Sequence, residues 1–339
     1  MSESVSGRTV LITGGTGSFG STMVRKLLSG DVGEVRILSR DEAKQDDLRR
    51  ALGDARARFY LGDVRDRGSI DDAMRGVDHV FHAAALKQVP SCEFFPNQAI
   101  LTNVHGSANT IASAAAAGAR SVVCLSTDKA VYPINAMGMT KALMEKTAHA
   151  FARNNPASAT VVSVVRYGNV MYSRGSVIPL FVEQLRERRP LTLTEPSMTR
   201  FLMSLAESVD LVEYAFLNAA PGDLYVRKAP ASTVHDLAVA VATLFGAEPD
   251  LRVIGARHGE KLYETLLSRE EMAKAQDRGD YYRVPLDDRS LDYGLYVEEG
   301  DRERVEFDDY NSHNTQRLDV DGVAELLRRL PELARAGSG

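Results

Sequence analysis

Cysteine is scarce: Cys92 and Cys124 are the only two in 339 residues. That excludes a disulfide framework and points to a reducing compartment. The seven histidines stand singly, with no Cys/His cluster at metal-ligand spacing, so no metal site is expected. No apolar run approaches the roughly 18 residues of a membrane span. Residues 1–8 are polar and lack the apolar region of a signal peptide. Positive charge is not in excess either. Lys and Arg total 41 against 46 Asp and Glu, a net charge of −5, which argues against general nucleic-acid binding. No internal repeat is visible. The expectation is a cytoplasmic protein, with no membrane or nucleic-acid partner, in which any anionic ligand needs a local basic pocket.

What is present is ordinary globular material, 44% apolar and 26% charged, enough to build a core without staples. Short β-branched runs at 9–13, 34–39, 58–61, 79–83, 122–126 and 161–166 alternate with helical patterns. In the first helix, Phe19, Met23 and Leu27 recur at spacing four. Such alternation predicts an α/β fold, a Rossmann doubly wound parallel sheet. After residue 166 the rhythm breaks. Residues 167–200 are loop-rich, 205–217 and 234–245 read as helices, 223–227 and 252–254 as strands, and 318–333 as helical again. Residues 277–311 are polar and turn-rich with no clear core pattern. The predicted organisation is a dinucleotide-binding domain over 1–170, with 205–228 returning to it. A smaller substrate-binding region spans 171–204 and 229–290, and a C-terminal extension spans 291–339. The ends, 1–7 and 336–339, are expected to lack order.

The run at 9–13 leads into Gly14-Gly15-Thr16-Gly17-Ser18-Phe19-Gly20 and then a helix. Gly14, Gly17 and Gly20 permit a tight turn and close backbone approach. The helix N-terminus offers N–H groups and a positive dipole to a pyrophosphate. The end of the second strand chooses between NAD and NADP: an acid binds the ribose 2′-OH, a cation the 2′-phosphate. Here Ser39, Arg40 and Lys44 form a phosphate clamp and favour NADP, while Asp41 would serve NAD if the register slipped by one. Asp63 and Val64 are placed for the adenine edge, or Asp63 for a helix cap.

The apolar run 122–126 delivers Ser126, Thr127, Asp128 and Lys129 to its C-terminal end, where open α/β sheets bind ligands. A hydroxyl, a carboxyl and an amine stand side by side there, though a polar strand end with a helix cap reads the same way. Downstream, Met137 stands four residues before Lys141. Short-chain dehydrogenases carry Tyr-x-x-x-Lys on a helix face at this spacing. Methionine cannot move a proton, so another residue must.

These motifs resemble the UDP-N-acetylglucosamine 4,6-dehydratase family of extended short-chain dehydrogenase/reductases. The similarity runs to the inverting branch that also epimerises C5 in capsule and O-antigen UDP-L-FucNAc synthesis. It rests on TGGTGSFG (13–20), SRDEAKQ (39–45), AAALKQVP (83–90), LSTDKAVYPINAMGMTK (125–141), VRYGNVMYSRGSVIP (165–179) and RHGEKLYETL (257–266). YNSHNTQRLDV (310–320) resembles that branch's C-terminal extension, and Met137 is typical of it.

The resemblance implies an NADP-dependent lyase acting on UDP-GlcNAc. It would oxidise C4, eliminate water across C5 and C6, and return hydride to C6, giving a UDP-2-acetamido-2,6-dideoxy-hexos-4-ulose. Related hexose dehydratases read Thr-Asp-Glu at the strand end, and here Lys129 replaces the Glu. Asp128 is then the acid to the leaving hydroxyl, Lys129 the base at C5, and Thr127 a hydrogen-bond partner of the C4 oxygen. A lysine must be partly neutral to act as base, which Lys141 nearby would promote. Met137 and Lys141 complete the catalytic set. Tyr132 is either a proton relay or packing beside Pro133. Thr16, Ser18, Phe19 and Ala84 join the cofactor set, with Lys141 reaching the nicotinamide ribose. Lys87, Tyr167, Asn169, Arg174, Val177, Pro179, Arg257 and Glu260 are the implied substrate contacts. A homo-oligomer, dimer or hexamer, is implied too. The alternatives are a UDP-sugar 4-epimerase and a non-catalytic NADP(H)-binding regulatory protein.

Overall fold

The computed structural model describes residues 5–173, 175–255, 259–287 and 307–334. Strands β1 (Thr9–Thr13), β2 (Glu34–Ser39), β3 (Ala57–Leu61), β4 (His79–His82), β5 (Ser121–Leu125) and β6 (Val161–Arg166) lie in parallel. Helices α1 (Ser18–Leu28), α2 (Glu42–Leu52), α3 (Arg67–Met74), α4 (Val89–Phe94), α5 (Pro96–Ala99), α6 (Gly106–Ala116) and α7 (Ala136–Asn154) connect them. Chain order maps to the spatial order β3-β2-β1-β4-β5-β6, so the crossover falls between β1 and β4. Strands buried on both faces need unbroken apolar runs. β5, Ser121-Val122-Val123-Cys124-Leu125, is buried at all five positions.

α8 (Val177–Arg186), β7 (Leu191–Leu193) and β8 (Thr199–Phe201) leave the sheet. α9 (Leu205–Asn218) and β9 (Leu224–Arg227) return to it, with β9 parallel to β6. Outside it stand β10 (Ala231–Thr233), α10 (Val234–Leu244), β11 (Leu251–Val253), β12 (Thr265–Leu267) and α11 (Arg269–Met272).

The stretch 276–284, expected in the substrate region, instead extends the main sheet. β13 (Gln276–Arg278) and β14 (Tyr281–Val284) pair antiparallel, and β14 pairs antiparallel with β9. Its sequence is polar because β13 is an exposed edge strand and only Val284 of the pair is buried. Edge strands that carry charge resist pairing with other chains.

β15 (Tyr310–Asn311) pairs with β12, and α12 (Val320–Arg328) buries Val323, Ala324 and Leu327 against α10 and α8. The described part of the extension is therefore integral to the second core. At the other end, Val5 is buried and Ser6 bridges Val32, so order begins earlier than expected. Residues 1–4 and 336–339 lie outside the described residues. No helix among the described residues is long and apolar enough to cross a membrane. Both cysteines are free and buried.

Candidate active site

The C-terminal ends of β1 to β6 open onto one cleft of about 1630 Å³. Sites for one small ligand run to about 1,000 Å³, so this cleft has room for two. Gly14, Thr16, Gly17, Ser18, Phe19 and Gly20 line one end. Gly14 sits at φ +68°, and a Cβ there would meet Ala84 N at 2.8 Å. A Cβ on Gly20 would stand 2.5 Å from Gly14 O. The turn is thus closed to side chains, and Ala84 lies against it with its N–H on Thr13 Oγ1. α1 begins at Gly17 with no side-chain cap, which leaves its first N–H groups for a ligand. This cradle fits the diphosphate of a dinucleotide.

Ser39, Arg40, Lys44, Asp63 and Val64 line the adjoining wall. Asp41 lines the same wall, where it caps α2 by accepting from Lys44 N at 3.0 Å. Its carboxylate also pairs with the Lys44 ammonium, so Lys44 reaches the cleft only by leaving Asp41. Arg40 Nη1 lies 3.6 Å from Asp63 Oδ2. Asp63 is not a helix cap, since Asp66 caps α3. Burial works to raise the Asp63 pKa, but hydrogen bonds from Arg65 and the Arg40 charge hold it below the usual range.

After β5 the chain turns through one short 3-10 turn, 128–130, which places Thr127, Asp128 and Lys129 together in the cleft. Thr127 both caps that turn and faces the cleft, so the two readings of this strand end coexist. Asp128 is fully buried and its Oδ1 accepts from Thr127 Oγ1 at 2.6 Å, Lys129 N at 2.9 Å and Lys129 Nζ at 3.1 Å. Thr127 therefore gives its proton to Asp128 in this state. Lys129 Nζ also stands 3.5 Å from Glu264 Oε1. Burial pulls the Lys129 pKa down, but the Asp128 and Glu264 charges outweigh it and set it above the ordinary lysine value. The expectation of a partly neutral Lys129 is thereby corrected: the turn holds it as an ammonium. Lys141, expected to help neutralise it, is buried beside Cys124 and Glu145 instead.

Asn135 caps α7, and Met137 and Lys141 face the cleft one turn apart. Met137 packs with Cys92 and Ala99. Lys141 Nζ donates to Leu125 O at 2.7 Å, and burial pushes its ammonium down to about 8. Tyr132 does not line the cleft; its hydroxyl accepts from Arg269 N at 3.2 Å. That location removes it as a relay. Tyr167 lies in the cleft, stacked on Phe19 with ring centres 6.2 Å apart. Burial, aided by the Asp128 charge, lifts its phenol well above the usual range.

Lys87, Asn169, Val177, Pro179 and Glu260 line the far wall. Asn103 holds the Lys87 loop by bonding both Leu86 N and Leu86 O, and it also donates to Thr140 on α7. Arg174 and Arg257, both expected as substrate contacts, lie outside the described residues. Thr102, Ser126, Asn169, Ser176 and Glu264 each present a buried side-chain oxygen without a partner among the described residues, and all five line the cleft. Buried polar atoms are normally paired, so this clustering marks a surface that a polar ligand completes. Arg200, Lys261 and Glu264 were missed by sequence reasoning. Glu264 stood inside the 257–266 motif, but only the fold brings it to Lys129.

The family model described as polysaccharide biosynthesis protein matches residues 10–286, and its C-terminal counterpart matches 287–333. A Rickettsia felis protein named UDP-glucose 4-epimerase is 57% identical over 327 residues, 95% of this chain and 96% of its own. Pen from Bacillus thuringiensis superposes with a TM-score of 0.87 at 32% identity, covering 96% of this chain and 99% of that one. DesIV, a dTDP-glucose 4,6-dehydratase from Streptomyces venezuelae solved with NAD, gives 0.68 at 27%, over 75% of this chain and 86% of that one. With that sheet, that glycine cradle and these matches, the chain belongs to the polysaccharide biosynthesis protein family, among the extended short-chain dehydrogenase/reductases of the nucleotide-sugar dehydratase and epimerase type.

Proposed function

We propose that the protein is an NADP-dependent UDP-GlcNAc 4,6-dehydratase that inverts C5. The observation that carries this reading is the pairing of Met137, where a tyrosine would serve O4, with the buried Asp128–Lys129 turn in the same cleft. Exchange of C4 configuration needs one acid–base group at O4. Dehydration needs more, a base at C5 and an acid at the C6 hydroxyl, and a carboxyl beside an amine supplies both.

When bound, the oxidised nicotinamide supplies the acceptor for the C4 hydride. Lys141, seated on Leu125 O, holds the nicotinamide ribose. Lys129, having released its own proton to solvent, takes the O4 proton as hydride leaves C4 and hands it to Asp128, 3.1 Å away. A ketone at C4 acidifies the C5 proton. Neutral again, Nζ takes the C5 proton, Asp128 delivers the O4 proton to the departing C6 oxygen, and C5 regains a proton as hydride returns to C6. Thr127 holds the C4 oxygen once its hydroxyl turns from Asp128. Met137 packs against the sugar and excludes water. Lys87, Asn169, Glu260 and the first turn of α8 at Val177 and Pro179, with Arg174 and Arg257, hold the UDP. Ser176 supports this assignment, because it begins α8 without a side-chain cap and its buried hydroxyl has no partner among the described residues.

Arg40 and Asp41 both line the cleft, and NADP is favoured over NAD because the Asp41 carboxylate is engaged as a cap and with Lys44, which leaves Arg40 to meet a 2′-phosphate. Titration of both cofactors into wild type and Arg40→Ala tests this. NADP(H) is expected to bind tighter in wild type, and the variant to lose about 1.5–3 kcal/mol of NADP(H) binding alone. Equal wild-type affinities would refute the choice.

The name carried by the Rickettsia relatives favours a second reading, a UDP-sugar 4-epimerase. Mass spectrometry of UDP-GlcNAc after incubation separates the two. Loss of one water supports the dehydratase, and an isomer of unchanged mass supports the epimerase. An untouched substrate would favour a non-catalytic NADP(H)-binding protein.

A further inference from the structure

The catalytic corner holds a second acidic group that neither the strand end nor the helix supplies. Glu264 stands just before β12 and is 3% exposed. Its Oε1 lies 3.5 Å from Lys129 Nζ and 3.9 Å from Arg200 Nε. Its Oε2 is buried and has no partner among the described residues. A buried carboxylate oxygen left unpaired is costly, so the arrangement persists only if something else fixes it. The backbone does so. Glu264 N donates to Ser312 Oγ at 3.0 Å, and Ser312 N donates to Glu264 O at 2.8 Å. Ser312 Oγ is itself tied to Thr199 Oγ1 at 2.7 Å. Three separate segments thus hold this carboxylate against Lys129.

We propose that Glu264 is a positioning residue for Lys129: with Asp128 it clamps the Lys129 ammonium from a second side and sets the pH at which that ammonium yields its proton. The two sides differ: Lys129 Nζ donates to Asp128 Oδ1 at 3.1 Å and stands in an ion pair with Glu264 Oε1 at 3.5 Å. Among the described residues, the groups facing this pair are Asp128 on the same turn, Tyr167 after β6, Arg200 on β8 and Lys261 beside Glu264. Burial, with the Asp128 charge, raises the Glu264 carboxyl above its ordinary range, while Lys129, Arg200 and Lys261 pull it back. Once ionised, Glu264 joins Asp128 in favouring the ammonium, and Arg200 and Lys261 oppose it. Removing Glu264's charge leaves one anion against two cations, so Lys129 then loses its proton at lower pH. As a base it becomes active at lower pH too. Its placement, fixed from two sides, loosens.

The proposal rests on the assignment of Lys129 as the base, so the first test needs no substrate. Competitive acetylation at pH 9 with acetic anhydride reads the neutral fraction of each lysine by mass spectrometry, with Lys146 as internal reference. Glu264→Gln is expected to raise the Lys129 rate, relative to Lys146, about tenfold, the result of a one-unit fall. Glu264→Asp keeps the charge at shorter reach and is expected to give a smaller rise. An unchanged ratio in Glu264→Gln overturns the clamp. If Glu264→Gln fails to fold, an unchanged ratio in Glu264→Asp overturns it.

The second test is the pH profile of kcat/KM with UDP-GlcNAc. Its acid limb is expected to move to lower pH by about one unit in Glu264→Gln. A uniform loss of rate with the limb unmoved would make Glu264 merely structural and refute the proposal. Absence of turnover in wild type would overturn the dehydratase reading and leave the acetylation result standing.

Discussion

At the residue scale the protein turns on which group can move a proton. Met137 fills space and has no proton to give, whereas Lys129 has one and is held by two carboxylates. Lys129→Ala is expected to abolish water loss and C5 exchange into deuterated solvent, a fall of about 10²–10⁴-fold. Met137→Leu is expected to keep most of the rate, because a thioether only packs. Near-wild-type turnover in Lys129→Ala would place the base elsewhere. Lys141 makes a separate prediction about pH. Its pKa is about 8 in the fold, against an ordinary 10.5. Between those values the unfolded chain holds more protons, so stability rises with pH across that window and is lost again as pH falls through 8. Urea midpoints measured from pH 7.5 to 10 are expected to climb in the cofactor-free protein. Lys141→Met is expected to flatten that climb, and an identical climb in the variant would disprove the assignment.

At the scale of elements, the site depends on how closely α7 approaches the turn after β5. A Cβ on Gly138 would collide with the Lys129 carbonyl and lie 3.3 Å from Pro133 Cβ. Backbone cannot yield as a flexible side chain does. Gly138→Ala is expected to cost about 1–3 kcal/mol of stability and, by pushing the turn, to lower turnover more than ground-state binding. Thermal melts and the split between kcat and KM check this, and unchanged turnover would show that the approach is not needed. The glycine loop, the polar strand end and the Met137–Lys141 spacing were legible in the sequence, because each is a local pattern of a few residues. Glu264, Arg200 and Lys261 were not. They reach the cleft from β8 and from the loop before β12, and no local pattern ties 129 to 264. The same holds for β13, whose three residues are exposed and polar, and for β14, which is half-buried at all but Val284.

At the scale of the whole molecule, the C-terminal segment belongs to the core. Val323 and Leu327 on α12 are fully buried, worth about 1.5–3 kcal/mol each. Truncation before Phe307 is expected to lower the melting temperature and to release Glu264 from Ser312, so activity falls even where the chain still folds. A truncated chain as stable and active as the full one would contradict this. Assembly is a separate expectation. Phe94 and Phe95 at the end of α4, Leu101 just after α5, and Met139 and Leu143 on α7 are exposed, and clustered apolar surface marks contact sites. Light scattering of wild type is expected to show an oligomer, and Phe94→Glu with Leu143→Glu to reduce it. A wild-type monomer at micromolar concentration would refute the expectation.

The sequence by itself determined the fold class, the cofactor cradle and the Asp128–Lys129 and Met137–Lys141 pairs. Strand and helix periodicity, the glycine turn and strand-end chemistry are all short-range properties of the chain. Tertiary structure alone decided the charge state of the site. The Lys129 ammonium, favoured first by its neighbour Asp128, is favoured again by Glu264, 135 residues away, and Arg200 reaches the same corner from β8. The physical reason is common to both. Charge and burial depend on distance in space, and in a doubly wound sheet the strand ends that meet at one cleft come from distant parts of the chain.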